Sequence, residues 1–256
     1  MPNTGDFPFS LEGRLAIVTG GGTGLGFAIA SCFLKSGARV VIAGRRLDIL
    51  QEAAARLGPN AFPEPFDVTD SSAAIRFVAN IESKYGVTNI LVNNAGTHVK
   101  KTIEETSLAE FHGILKTHVE GAFSLTQAVV PAMKRSGGGS VLFTASMSAL
   151  IGMPKIVAYS AAKAAYLGMV RSLASELGAD NIRVNAIAPG WIQTSMLDAA
   201  LSGDPQRREK ILSRTPQHRF GSPEDIGWCA VFLCSQAADF VNGAVIPVDG
   251  GASIGF

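Results

Sequence analysis

The sequence predicts an α/β fold: a doubly wound parallel sheet of seven strands with helices on both faces, in a single domain over residues 1–256. Short apolar, β-branched runs alternate with longer segments of helical period. The runs are continuously apolar rather than alternating, as in strands covered on both faces. The chain has 256 residues, of which 47% are hydrophobic and 17% charged, enough for a substantial core and too apolar for disorder.

LAIVT (15–19) reads as the first strand, and a helical period follows from Gly24 to Lys35. RVVIA (39–43) is the second strand, and LDILQEAAARL (47–57) is a helix stopped by Gly58-Pro59. AFPEPF (61–66) is a third strand, weakened by its prolines. Asp70 caps a helix reaching about Tyr85, and NILV (89–92) is the fourth strand. One long helical pattern runs from about Leu108 to Met133, where the cluster Ser136–Gly139 breaks it. SVLFTA (140–145) is the fifth strand, Val157–Leu177 a helix, and NIRVNAIA (181–188) the sixth strand. The segment 190–222 reads as mobile; Pro223-Glu224-Asp225 opens the last helix, and AVIPV (244–248) is the seventh strand. No repeat, low-complexity tract or linker divides the chain.

Composition narrows the function. Net charge is +1, and no basic run exceeds the pairs Lys100-Lys101 and Arg207-Arg208, so no nucleic-acid partner is expected. Cys32, Cys229 and Cys234 form no C-x-x-C and have no His at ligand spacing, which predicts reduced thiols, a cytoplasmic protein and no metal site. The N-terminal MPNTGDFPFSLEGR is polar and acidic, unlike a signal or transit peptide. No apolar run reaches the ~18 residues of a membrane span.

TGGGTGLG (19–26) follows the first strand and opens the first helix. Glycines permit a tight turn and close backbone approach to a pyrophosphate, and the helix N-terminus adds positive potential. This context makes the domain Rossmann-type, with Gly20, Gly22, Thr23, Gly24, Leu25 and Gly26 as cofactor contacts. The alternative is a tight turn without a ligand. At the end of the second strand, Gly44 stands where an acid would bind a ribose 2′-hydroxyl, and Arg45 and Arg46 follow. Guanidinium matches phosphate geometry, which favours NADP(H) over NAD(H) unless both arginines are a solvated helix start.

AYSAAK (158–163) sets Tyr159 and Lys163 four positions apart on a helix, on one face. An ammonium beside a phenol favours the phenolate, so the pair reads as a proton donor with a lowered tyrosine pKa, or as two structural residues on one face.

TGGGTGLG, NNAG (93–96), Ser146, YSAAK (159–163), APGWIQT (188–194) and VDGG (248–251) resemble, in order and spacing, the short-chain dehydrogenase/reductase family across the whole chain. The resemblance implies reversible hydride transfer between a nicotinamide and a CH–OH group. It implies that Tyr159 moves the proton, Lys163 lowers its pKa and bonds the nicotinamide ribose, and Ser146 hydrogen-bonds the carbonyl; Ser148 has the wrong offset. Asn94, Ala95 and Gly96 are then expected at the adenosine ribose. Asp67 and Val68 would contact adenine, unless Asp67 only makes an Asx turn. Pro189 and Gly190 would pass the nicotinamide, and Ile192 and Thr194 would meet its carboxamide, unless Thr194 is a helix N-cap. The family also implies a homotetramer.

One motif departs. The family pattern N-x-x-G-x-F reads HVEGAF (118–123) here, so His118 stands where the Asn, through a local helix distortion, helps hold a relay water. His118 is expected to keep that relay, to make it pH-sensitive, or to be a packed residue without a proton role.

The substrate is less legible. The expected pocket lies among Ser146, Tyr159, the loop 97–101, the turn 147–157 and a lid over about 191–215. Lys100-Lys101 would attract an anionic substrate or be solvated, and Trp191 would form a wall. The texture is closest to the gluconate 5-dehydrogenase and sugar or polyol branch, and nearly as close to the 3-oxoacyl-[acyl-carrier-protein] reductases. A non-catalytic NADP-binding sensor is the alternative from another class.

Overall fold

A computed structural model describes residues 7–194, 197–198 and 201–255. The first six residues of the expected polar N-terminus, and positions 195–196 and 199–200 of the expected lid, lie outside the described residues.

The apolar runs form one parallel sheet. Its strands are β1 (Leu15–Thr19), β2 (Arg39–Gly44), β3 (Ala61–Pro65), β4 (Ile90–Asn93), β5 (Gly139–Thr144), β6 (Ile182–Pro189) and β7 (Val245–Val248). They lie in the order β3-β2-β1-β4-β5-β6-β7. Successive strand residues face opposite sides, and here both sides are buried. Leu15, Ile17, Val41 and Leu91 point into one core, while Ala16, Val18, Ile42 and Val92 point into the other. The prolines of AFPEPF are tolerated because β3 is the edge strand, pairing only with β2.

Helices cover the two faces. α1 (Gly24–Lys35), α2 (Leu47–Leu57) and α8 (Pro223–Cys234) pack on one side through Ile29, Phe33, Leu50, Ile226 and Ala230. α3 (Ala74–Tyr85), α5 (Gly121–Arg135) and α6 (Val157–Leu177) pack on the other through Phe77, Ile81, Leu125, Val129 and Tyr166. α1 and α8 touch closely because Gly227 has no side chain; a Cβ there would lie 2.5 Å from Cys32 Sγ.

Two segments differ from expectation. The long pattern from Leu108 is not one regular helix: α4 (Leu108–Leu115) passes through a π-helical turn, Lys116–Glu120, into α5. Such turns insert a residue and re-aim the side chains around it. The 190–222 segment contains α7 (Pro205–Ser213), where Asp204 accepts a hydrogen bond from Arg207 N and Pro205 occupies the first turn. Its Leu201 and Ile211 join Leu197, Trp191 and Phe220 in a small separate apolar cluster.

Candidate active site

The strand order reverses direction between β1 and β4: β1 leads to β2 on one side, and β4 lies on the other. Ligands of open α/β sheets bind outside the carboxyl ends of the strands at such a point. Thr19, the last residue of β1, ties the two loops there together. Its Oγ1 accepts from Asn94 N and Ala95 N, each at 2.9 Å, and donates to Val92 O at 3.1 Å. Asn94 Nδ2 donates to Thr19 O at 2.9 Å. Thr19 was not picked out from the sequence, although a hydroxyl at the strand's carboxyl end was a usable signal.

The glycine loop folds tightly on α1. Gly20 has φ +66°, and a Cβ on Gly26 would lie 2.2 Å from Gly20 O. Thr23 is extended at the N-cap, makes no side-chain capping bond, and the first turn of α1 carries no acid. The first N–H groups of α1 are therefore left for an incoming acceptor, as a pyrophosphate requires. A cleft beside this loop is lined by Gly20, Gly22 and Thr23 together with Arg45, Arg46, Asp67 and Val68. Ala95, Gly96, Thr97 and Thr117 also line it. Both arginines are exposed at the cleft. Asp67 Oδ1 makes an Asx turn, accepting from Thr69 N at 2.9 Å and Thr69 Oγ1 at 2.8 Å. The described residues thus offer a cradle that fits a dinucleotide: bare backbone at the phosphates and two guanidinium groups at the cleft.

Four expected cofactor contacts have other duties in the chain by itself. Gly190 N donates to Val248 O at 3.0 Å, and a Cβ on Gly190 would lie 2.5 Å from Asp249 Cβ, so β7 requires glycine there. Pro189 closes β6 against Val248. Ile192 is buried and bridges to Gly221, lining a second cavity with Asp249 and Gly250. Thr194 Oγ1 accepts from Leu197 N at 3.3 Å, the N-cap pattern.

Ser146, Tyr159 and Lys163 converge. Ser146 follows β5 and caps a 3-10 turn, accepting from Ser148 N at 3.1 Å. Ser148, set aside for its offset, donates its hydroxyl to Ser146 Oγ at 3.0 Å and so orients it. The neighbouring Ser146 hydroxyl also acts on the Tyr159 phenol. Lys163 is buried, donates to Thr144 O at 2.5 Å, and holds its Nζ 5.5 Å from the Tyr159 ring centroid and 4.9 Å from that of Tyr166.

The charge balance differs from expectation. Burial raises the Tyr159 pKa, and the Ser146 hydroxyl only opposes that rise. Burial likewise drives Lys163 down to about 7, where its ammonium is partly lost. Tyr159 therefore stands as a protonated phenol.

His118 lies within the π-helical turn and is buried. Its Nε2 meets Thr97 N at 3.1 Å and Thr97 O at 2.8 Å, and its backbone carbonyl accepts from Tyr166 Oη at 3.0 Å. The ring packs against Gly96, where a Cβ would lie 2.4 Å from Cε1, and meets the Tyr159 ring edge-on at 5.6 Å. Nδ1 is buried without a partner. Burial, and secondarily the charge of Lys163, lowers its pKa to about 3. Of the three expectations for His118, this direction favours a neutral imidazole over one that titrates near neutral pH.

A family model described as enoyl-(acyl carrier protein) reductase matches residues 20–253. The 3-oxoacyl-[acyl-carrier-protein] reductase of Thermotoga maritima is 36% identical, over 95% of this chain and 99% of its own length. The gluconate 5-dehydrogenase of Gluconobacter oxydans is also 36% identical, over 96% of this chain and 97% of its own. The crystal structure of a gluconate 5-dehydrogenase from Burkholderia cenocepacia, in complex with NADP and tartrate, superposes with a TM-score of 0.93 at 30% identity, covering 97% of this chain and 98% of that one. With the fold agreeing with these likenesses, the chain belongs to the short-chain dehydrogenase/reductase family, whose members are oxidoreductases acting on CH–OH groups.

Proposed function

We propose that the protein is an NADP-dependent oxidoreductase that interconverts a small alcohol and its ketone, with a sugar acid or polyol as substrate class. The observation that carries this reading is the convergence of Ser146, Tyr159 and Lys163 next to a dinucleotide cradle with two exposed arginines. The NADP of the Burkholderia neighbour supports the cofactor assignment.

When bound, the nicotinamide supplies or accepts the hydride. The chain's residues do the rest. Gly20, Gly22, Thr23, Gly24, Leu25 and Gly26 would hold the phosphates, Arg45 and Arg46 the 2′-phosphate, and Asp67, Val68, Asn94, Ala95 and Gly96 the adenosine. Pro189, Gly190, Ile192 and Thr194 would flank the nicotinamide. Ser146 would hold the substrate oxygen, its own hydroxyl oriented by Ser148. Tyr159 would give a proton to that oxygen during reduction and take one during oxidation. A raised tyrosine pKa suits reduction at neutral pH and makes oxidation rise towards alkaline pH. Lys163 would bond the ribose, and His118 would hold a water at its unpaired Nδ1 as a neutral relay.

A 3-oxoacyl thioester is the second reading, favoured by the equal likeness to the Thermotoga reductase. The NADP-binding sensor is disfavoured by the intact catalytic cluster. The segment over about 191–215 would act as the lid, with α7 and its small cluster as its body. Exposed apolar side chains at Leu108 and Phe123, on α4 and α5, support a homotetramer. The unpaired Cys32, Cys229 and Cys234 support a reducing compartment, the cytoplasm. No helix among the described residues is long and apolar enough to cross a membrane.

The test is nicotinamide absorbance with 5-ketogluconate, keto-sugars and an acetoacetyl thioester, NADPH and NADH in parallel, for the wild type and Arg45→Ala. Turnover of 5-ketogluconate with NADPH is expected, and Arg45→Ala should raise the KM for NADPH about 10-fold or more while sparing NADH. Equal weakening would sink the 2′-phosphate assignment. Turnover of the thioester alone would move the substrate to the second reading, and no turnover would favour the sensor.

A further inference from the structure

The loop between β4 and α4 crosses the carboxyl edge of the sheet and is pinned at two points. At one, His118 Nε2 meets both Thr97 O at 2.8 Å and Thr97 N at 3.1 Å. Gly96 lets the loop come that near, since a Cβ there would lie 2.4 Å from His118 Cε1. At the other, Lys101 N donates to Lys155 O at 2.9 Å, just before α6, and Lys101 Nζ is ion-paired with Glu110 of α4. His98 stands between these pins, one residue beyond Thr97. Its ring lies edge-on to the Tyr159 ring, with centroids 5.3 Å apart and an interplanar angle of 66°. The His118 ring meets the same phenol ring at 5.6 Å. Tyr159 is thus flanked by two imidazoles, His118 buried and His98 exposed. Among the described residues, neither ring nitrogen of His98 is taken up by a hydrogen bond.

A ring that only packs against a phenol has no need of nitrogen, because a phenylalanine would make the same edge contact. Although accessible, the imidazole is desolvated enough that its pKa lies below the ordinary value, with nearby positive charge adding to the fall. At neutral pH it is therefore uncharged, with one N–H donor and one nitrogen acceptor. A hydroxyl is likewise both donor and acceptor, so the two match in either direction. A carboxylate only accepts and would use half of that capacity. We propose that His98 is a substrate-contacting residue that hydrogen-bonds a hydroxyl next to the carbon on which Tyr159 acts, and so selects polyhydroxy chains over plain ketones. The proposal rests on the oxidoreductase reading above and names the side chain that reads the substrate's neighbouring hydroxyl. The two pins matter because a group held in place beforehand loses less freedom when the ligand arrives.

The experiment titrates NADPH-loaded protein calorimetrically with gluconate and with hexanoate, straight-chain carboxylates of equal length that differ in their hydroxyls. Neither reacts with the reduced cofactor. The wild type should bind gluconate about 10-fold or more tightly than hexanoate. His98→Phe keeps a ring against Tyr159 and removes both nitrogens. It should weaken gluconate about fivefold or more and leave hexanoate and NADPH within about twofold. His98→Gln, which restores a donor and an acceptor, should recover most of that loss. Equal weakening of gluconate and hexanoate would reduce His98 to a packing residue. Unchanged gluconate affinity in His98→Phe, or no preference in the wild type, would remove the contact. Failure of the wider reading looks different and is read by turnover of 5-ketogluconate with NADPH. Gluconate binding that depends on His98 without such turnover keeps the contact and removes the enzyme, whereas turnover with gluconate affinity indifferent to His98→Phe does the reverse.

Discussion

A buried imidazole whose pKa falls to about 3 couples protonation to folding. In the unfolded chain His118 titrates near the ordinary value of about 6.5. Between these values the unfolded state binds the extra proton, so the folded state loses stability as pH falls from about 6.5 towards 3. His118→Asn removes that coupling. Urea unfolding at pH 7 and pH 4.5 should show the wild type losing roughly 2–3 kcal/mol more than the variant over this interval. Parallel losses would mean that the ring is solvated in the folded state. The same neutrality predicts a pH–rate profile without a His118 inflection near 6.5. The sequence pointed to His118 through its departure from a familiar pattern. It could not reveal the direction of the pKa shift, which depends on Gly96, Thr97, Tyr166 and Lys163 closing around the ring. Tyr159 is similar: its spacing to Lys163 was legible, but the depth of burial that raises its pKa was not.

The π-helical turn between α4 and α5 is held by a side chain from α6, since Tyr166 Oη donates to His118 O at 3.0 Å. Tyr166→Phe keeps the ring beside Lys163 and removes this bond, leaving the carbonyl with only the backbone N–H of Gly121. The variant should lose about 0.5–1.5 kcal/mol in urea unfolding, and kcat should fall because the turn that aims His118 relaxes. A loss below about 0.5 kcal/mol would show that the turn does not need this bond. Regular elements were readable because apolar runs and glycine stops carry their own signals; α1, α2 and α6 span the residues expected. The π turn left no trace in the apolar spacing, which its one-residue insertion keeps nearly intact; only the family pattern around His118 implied a local distortion. α7 was missed because PQRREKILS is mostly polar, although Asp204-Pro205 is a cap followed by a first-turn proline. Thr19 was passed over and Ser148 set aside for its offset, because each hydroxyl acts on another residue across the sheet edge or turn.

The seven-stranded order brings residues as distant as Gly20, Asn94, Ser146 and Tyr159 to one edge of the sheet. That gathering was legible from the strand pattern, because parallel strands put every following loop on the same side. The outer surface was less so. Leu108, Phe123 and the fully exposed Phe240 leave apolar area that association would cover. Sedimentation equilibrium at micromolar concentration should give about four times the chain mass of 26.7 kDa; a single-chain mass would remove the tetramer. Chemistry at the sheet edge is tested most directly by Tyr159→Phe, assayed with NADPH against whichever ketone the wild type reduces. The phenol is assigned as the proton donor, so kcat should drop at least ~10²-fold while the NADPH Kd stays within about threefold. A variant retaining a tenth or more of wild-type kcat would contradict that assignment.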